Sequence, residues 1–231
     1  MRHRPGKPNS RQEAAFGHDD VATIAALVVA NPDLRLVKLA EKLSLARTPP
    51  SDSEVHGLIG NALYFDADLG DVARDVASRA AAIGSAPVGD DRVRRRGALL
   101  ERLTDGLVRS RLPTTTFHEH EVELKVNPRS RRQWTHSKEI VAEGDAFEVY
   151  ECKANCLPDP GDVDELSDVA STAKAEGTEA LPTLVVFGSI EQLRRMSVAW
   201  RLTETIYAVP TEAILDLRLR PPKRFALAPI A

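Results

Sequence analysis

Apolar residues at helical spacing dominate the first third of the chain. In "HDDVATIAALVVANPD" they follow two acidic residues, which is typical of a helix that begins near Asp19. The segments "LRLVKLAEKLSL", "EVHGLIGNALYF" and "DLGDVARDVASRAAAIG" predict three more helices, the last ending at Gly84. Residues 18–84 are therefore expected to form a small all-α domain. Residues 1–17 are basic and without periodicity, and are expected to form a disordered tail.

The pattern changes after the linker "SAPVGDDR". The segment "RRRGALLERLTDGLVRSRL" predicts an amphipathic helix with one apolar side, and Pro113 follows its end. Three β-like runs come next, "FHEHEVELKVN", "QWTHSKEIVAE" and "AFEVYECKAN". The apolar side of the helix is expected to consist of Leu99, Leu100, Leu103, Leu107 and Val108.

The remaining segments alternate between helix and strand. A polar helix from about Asp162 to Glu176 precedes "LPTLVVFGS", whose unbroken apolar run suits a strand covered on both faces. Helix "IEQLRRMSVAWRL", strand "TIYAVP" and a short helix "TEAILDL" follow. This order predicts an α/β domain over residues 92–231, in which helices flank a mixed β-sheet.

Composition narrows the class of protein. Of the 231 residues, 42% are hydrophobic and 28% are charged, as in ordinary folded domains. The sequence contains neither an apolar run long enough to span a membrane nor an apolar N-terminal signal segment, so a cytoplasmic protein is expected. Cys152 and Cys156 are too few for a disulfide framework or a zinc site, and are expected to be free thiols.

Charge bears on nucleic-acid binding. The net charge of −3 argues against wholesale binding of polyanions, although Arg clusters occur in "RVRRR" and "RSRR". Helices over residues 18–66 admit a helix-turn-helix regulator as one alternative. Its third helix would however approach phosphates with Asp52 and Glu54 and with no basic residue. A domain that packs or contacts other proteins is the favoured interpretation.

The stretch "FEVYECKAN" contains the candidate chemistry. Glu151 and Lys153 have the same strand parity as Phe147 and Val149, so they extend an apolar row on one face of the strand. A carboxylate there could bind a hard divalent cation, and the ammonium could reach an anionic oxygen or water. An ion pair at the end of the sheet is the structural alternative.

One carboxylate is a poor magnesium site, and the preceding strand offers Glu139 as the second. If Ala142 pairs with Ala146, Glu139 lies opposite Val149 and on the face of Glu151. A shift of one residue would turn Glu139 to the other face. The alternative for Glu139 is a solvated strand residue.

These segments resemble the PD-(D/E)XK nuclease superfamily of restriction-endonuclease-like enzymes. The resemblance covers about residues 92–190: a helix with "RGALLER", a strand with an acid, "YECK" on the next strand, then a helix and a strand. It implies that Glu139 and Glu151 bind Mg²⁺ or Mn²⁺, that Lys153 orients or activates the attacking water, and that Glu101 lies near the metal. Glu139 replaces the usual Asp, and the proline that often precedes it is absent.

The resemblance implies a metal-dependent nuclease that acts on nucleic acid, with DNA as the expected substrate, and that could dimerise to cut two strands. Beside such a site, Arg129, Arg131 and Arg132 could hold backbone phosphates, with Trp134 stacking on a base. The alternative is a catalytically inactive adaptor that has kept the fold. Either protein could contact partners through its N-terminal helical domain.

Overall fold

A computed structural model describes residues 2–5, 10–63, 69–87, 89–113, 117–125, 135–142, 146–155, 160–200 and 206–222. The chain divides into two compact units, and the boundary falls within a helix. The helical unit is Asn9–Leu107. The sheet unit combines Met1–Pro8 with Val108–Ala231.

From α2 onward the helices and strands follow the predicted order. The helices are α1 Ser10–Phe16, α2 Asp19–Ala30, α3 Leu34–Ser44, α4 Asp52–Leu63, α5 Gly70–Ser85, α6 Asp90–Arg111, α7 Pro160–Ala175 and α8 Ile190–Trp200, with a 3-10 helix at Thr211–Arg218. The strands are β1 Arg2–Pro5, β2 Phe117–Lys125, β3 Thr135–Ala142, β4 Ala146–Lys153, β5 Glu179–Val186 and β6 Tyr207–Val209.

Side chains next to the first turns of α2 and α3 satisfy backbone donors of the helical unit. The ring of His18 accepts a hydrogen bond from Asp20 N, and the carboxylate of Asp33 accepts one from Arg35 N. The guanidinium of Arg35 also donates to Asp33, and these contacts hold the pKa of that carboxyl below its usual value despite partial burial.

The helical unit packs closely enough to require glycine at two contacts. A Cβ at Gly84 would collide with the carbonyl oxygen of Leu43, and one at Gly106 would lie 2.8 Å from a methyl group of Val29. Gly84 therefore serves the approach of α3 to α5. The helix continues to Ser85, one residue beyond the predicted end.

Two arginines of "RVRRR" bind the ends of neighbouring helices. Arg96 donates to Ser44 O at 2.5 Å and to Ala46 O at 2.7 Å, and Arg92 donates to Gly84 O at 3.0 Å. These carbonyl groups lie at or near the C-termini of α3 and α5, where helices have unpaired acceptors and negative partial charge. Part of this basic cluster thus has a structural role.

The six strands form one mixed sheet in the order β1-β2-β3-β4-β5-β6. Neighbours from β1 to β4 are antiparallel, and β4, β5 and β6 are parallel. The predicted mixed sheet and the α/β class are confirmed. The five residues expected on the apolar side of α6 are all buried.

Helices α7 and α8 help to bury one face of the parallel strands. The buried cluster on that face comprises Val149, Val163, Leu166, Val169, Leu184, Val186, Leu193, Ile206 and Ala208. Apolar residues of α7 thereby lie against β4 and β5. This packing fixes the start of α7 near the end of β4.

The disordered tail predicted for residues 1–17 is wrong where the structure describes it. Arg2–Pro5 pairs with β2, and Ser10–Phe16 is helical. The guanidinium of Arg102 lies 4.5 Å from the ring centre of Phe16. A local pattern could not reveal these contacts, because the partners are roughly a hundred residues away in sequence.

The two compact units divide the chain at a different residue from the expected domains. A sheet domain beginning at residue 92 would include nearly all of α6, whereas α6 as far as Leu107 belongs to the helical unit. No helix among the described residues is long and apolar enough to cross a membrane.

Candidate functional site

Strand β4 ends in a pair of charged residues that touch. Nζ of Lys153 lies 2.9 Å from Oε1 of Glu151. Both residues follow Val149 at alternate positions, and Val149 is buried against α7. The two residues share a face, as expected, and their contact is the ion pair that the sequence also allowed.

A second carboxylate joins this pair from α7. Nζ of Lys153 also lies 2.8 Å from Oδ2 of Asp162. The two carboxylate oxygens are thus separated by no more than the sum of the two contacts, about 5.7 Å. We call Glu151, Lys153 and Asp162 the acid-lysine cluster.

The fold explains why Asp162 arrives there. It lies in the first turn of α7, where a negative charge interacts favourably with the helix dipole. The next residue, Val163, belongs to the buried cluster with Val149 and Val186. Packing of that valine holds the start of α7 over the carboxyl ends of β4 and β5.

The acid-lysine cluster is mostly buried but remains in contact with solvent. The exposed fractions of the side chains are 9% for Glu151, 22% for Lys153 and 19% for Asp162. It lies at the carboxyl ends of parallel strands, which is the usual place for ligand sites in open α/β sheets. These charged groups are thus partly desolvated without being sealed from solvent.

Two carboxylates and one ammonium give the cluster a formal charge of −1. Carboxylate oxygens are the ligands that hard divalent cations prefer, so the donor type fits Mg²⁺ or Mn²⁺. Among the described residues, no group of three or more His, Cys, Asp or Glu is placed to hold a metal. The cluster can thus offer a cation two protein carboxylates, with water filling the remaining positions.

The opposite face of β4 has a different charged network. The guanidinium of Arg111 donates to both carboxylate oxygens of Glu148, at 3.1 and 2.6 Å, and to Leu217 O at 3.1 Å. The hydroxyl of Tyr150 donates to Glu148 at 2.5 Å. We call Arg111, Glu148 and Tyr150 the arginine network.

The arginine network is deeply buried. Only 13% of the Arg111 side chain and 6% of the Glu148 side chain are exposed. Burial lowers the pKa of Arg111, but hydrogen bonds to Glu148 and the charge of that carboxylate outweigh burial and leave the pKa above its usual value. Local sequence patterns do not reveal this network, because its basic partner Arg111 lies 37 residues before Glu148.

The predicted position of Glu139 is wrong. Ala142 pairs with Phe147 rather than with Ala146, and Glu139 pairs with Tyr150. Directly opposed residues share a face, so this register assigns position 139 to the face of Tyr150 and not to that of Glu151. Ile140 takes the place opposite Val149. The register that the expected pair of Glu139 and Glu151 required is therefore not the one observed.

The other predicted site residues belong to the helical unit or lie outside the described residues. Glu101 is buried in α6, within the helical unit. Arg129, Arg131, Arg132 and Trp134 lie outside the described residues. Asp162 was missed because it had been read only as the start of a polar helix.

Comparisons with known proteins add little. No family model matches the chain, and no curated protein matches it. The chain is similar to the crystal structure of protein VC1899 from Vibrio cholerae, with a TM-score of 0.43 and 17% sequence identity. The match covers 94% of this chain and 57% of that chain, so this chain spans little more than half of its length. At this similarity the match carries no argument about function.

Proposed function

We propose that the protein is a metal-dependent nuclease that hydrolyses phosphodiester bonds at the acid-lysine cluster, with DNA as its substrate. The observation that supports this most is the contact of Lys153 with Glu151 at the end of β4, with a second carboxylate within reach. A carboxylate and an ammonium side by side are the pair that such chemistry requires.

The order of elements agrees with the resemblance seen in the sequence. Helix α6 precedes the antiparallel strands β2, β3 and β4, and α7 and β5 follow. Glu151 and Lys153 lie on the third of these strands, where the resemblance to PD-(D/E)XK nucleases puts the E-x-K motif. This agreement supports a restriction-endonuclease-like sheet as part of the proposal.

Each residue of the cluster would have a distinct role. A divalent cation bound here would lower the pKa of water and neutralise charge on the scissile phosphate. Glu151 would hold this cation, and its low exposure would limit competition from solvent water. Lys153 would donate a hydrogen bond to the attacking water or to the phosphate oxygens, stabilising the charge that develops on them.

A cleavage assay tests the proposal. We expect the full chain with Mg²⁺ or Mn²⁺ to cut plasmid or oligonucleotide DNA, and EDTA to stop cleavage. Glu151→Gln should reduce the rate by about 10²–10³-fold, as loss of one stabilising group does elsewhere. Glu191→Gln, at an exposed position on α8, is the matched control and should cleave like the wild type.

Two results would contradict the proposal. One is that the folded wild type cuts neither DNA nor RNA with either cation. The other is that cleavage persists in both Glu151→Gln and Lys153→Met. Cleavage of RNA but not of DNA would support phosphodiester hydrolysis and contradict DNA as the substrate.

A second candidate is a catalytically inactive adaptor with the same fold. The observation that favours it is that Lys153 already contacts both carboxylates and offsets half of their negative charge without a cation. Such a protein need not bind Mn²⁺, and Glu151→Gln would not change its binding to partners. Metal titration of the wild type separates the two candidates.

A further inference from the structure

The correction of Glu139 leaves the proposed site with one carboxylate from the sheet. A single carboxylate is a weak ligand set for a divalent cation, because affinity rises with the number of charged oxygen ligands. The register excludes position 139 from the face of Glu151. The second ligand must therefore come from another element of the fold.

We propose that Asp162, from the first turn of α7, is that second carboxylate, and that Asp162 and Glu151 bind the cation in competition with the ammonium of Lys153. This inference rests on the proposed function and assigns the ligands of the same site. It differs from the expectation that the resemblance gave, in which both acids come from adjacent strands.

The distances support shared use of one cation. Both acids already converge on one positive charge, the ammonium of Lys153, at 2.9 and 2.8 Å. A Mg²⁺ ion coordinates oxygen at about 2.1 Å, so modest rotations of the two carboxylates would let one ion take that place. Packing of Val163 keeps the backbone of Asp162 next to the cluster while its side chain adjusts.

Competition with Lys153 follows from charge. The ammonium and the cation are attracted by the same two oxygens and repel each other at short range. When the cation binds, Lys153 would give up at least one carboxylate contact, and its amine would become available to water or phosphate. The same movement would therefore load the site and release the lysine for catalysis.

Mn²⁺ binding to the full chain, measured by loss of the free-ion EPR signal, tests the inference without requiring activity. Asp162→Asn should weaken Mn²⁺ binding at least about tenfold, as should Glu151→Gln. Lys153→Met should strengthen it about tenfold, because a competing charge is removed. Asp164→Asn, exposed on the same helix, and Glu139→Gln should bind like the wild type.

Asp162→Glu is a second variant at this position that keeps the negative charge. It separates loss of the carboxylate from loss of folding as the cause of weaker Mn²⁺ binding. It should bind Mn²⁺ more tightly than Asp162→Asn, with thermal unfolding checked for each variant. Wild-type affinity in Asp162→Asn would overturn the inference, as would absence of Mn²⁺ binding in the wild type. Mn²⁺ binding that depends on Asp162, without cleavage by the wild type, would support the inference and contradict the proposed nuclease.

Discussion

The two faces of β4 each place a glutamate against a basic side chain, and they do so in different ways. On one face the planar fork of Arg111 holds both oxygens of Glu148, and Tyr150 adds a third hydrogen bond. On the other face Lys153 touches one oxygen of Glu151 and one of Asp162. The first arrangement is more buried than the second.

This difference separates a structural role from a functional one. Arginine stays charged and binds carboxylate in a fixed bidentate geometry, whereas lysine is a flexible point charge that can exchange partners. The arginine network ties the end of α6 and the 3-10 helix to the sheet, and it leaves little room for a ligand. In the acid-lysine cluster, the carboxylates of Glu151 and Asp162 could exchange Lys153 for a bound cation.

The largest effect should follow from breaking the arginine network. Arg111→Met leaves Glu148 buried without its charged partner, and should lower the free energy of unfolding by about 3 kcal/mol. Chemical denaturation monitored by circular dichroism measures this change. If the variant were as stable as the wild type, the arginine network would not have the structural role assigned to it.

Lys153→Met should lower activity more than it lowers stability, the opposite of what is expected for Arg111→Met. We expect cleavage to fall about 10²–10³-fold, because the donor to water or phosphate is lost. The free energy of unfolding should fall by less than in Arg111→Met, because Lys153 and Asp162 are more exposed than Arg111 and Glu148. A variant that unfolds like Arg111→Met would contradict the functional assignment of this face.

Tyr150→Phe sharpens the comparison within the arginine network. Removal of the hydroxyl deletes one hydrogen bond to Glu148 and should cost about 1 kcal/mol of stability. Mn²⁺ affinity should be unchanged, because Tyr150 is on the face opposite the cluster. A shift in that affinity would mean that the two faces are not independent.

Asp33 provides a control remote in sequence, in the helical unit. Its pKa is lowered by its hydrogen bonds with Arg35, so the folded state favours the ionised carboxyl. The stability it contributes is present above its ordinary pKa of 3.8 and is lost as pH falls through the lower folded value. Asp33→Asn should thus be less stable than the wild type near neutral pH, and the gap should narrow below about pH 4. Cleavage and Mn²⁺ affinity should not change.

Much of the fold could be predicted because it depends on local periodicity. The run from β4 through α7 to β5 has clear apolar spacing, and the mixed sheet follows from the order of its elements. Strand β1 could not be predicted, since its sequence is short and polar and its partner is β2. Gly84 was read as a helix end, but its role lies in a contact between helices.

The candidate site was predicted only in part. Glu151 and Lys153 were identified because residues two apart on a strand share a face, which is a local rule. The choice between Glu139 and Asp162 depended on a one-residue register and on the docking of a helix. Neither quantity is encoded in the spacing of the sequence.

The most direct test of a cation site at the acid-lysine cluster is a crystal structure of the full chain soaked in Mn²⁺, with anomalous scattering recorded. The account predicts an anomalous peak within coordination distance of both Glu151 and Asp162, with Lys153 displaced from at least one of them. A saturating soak that leaves no peak there, with Lys153 still in contact with both carboxylates, would contradict it.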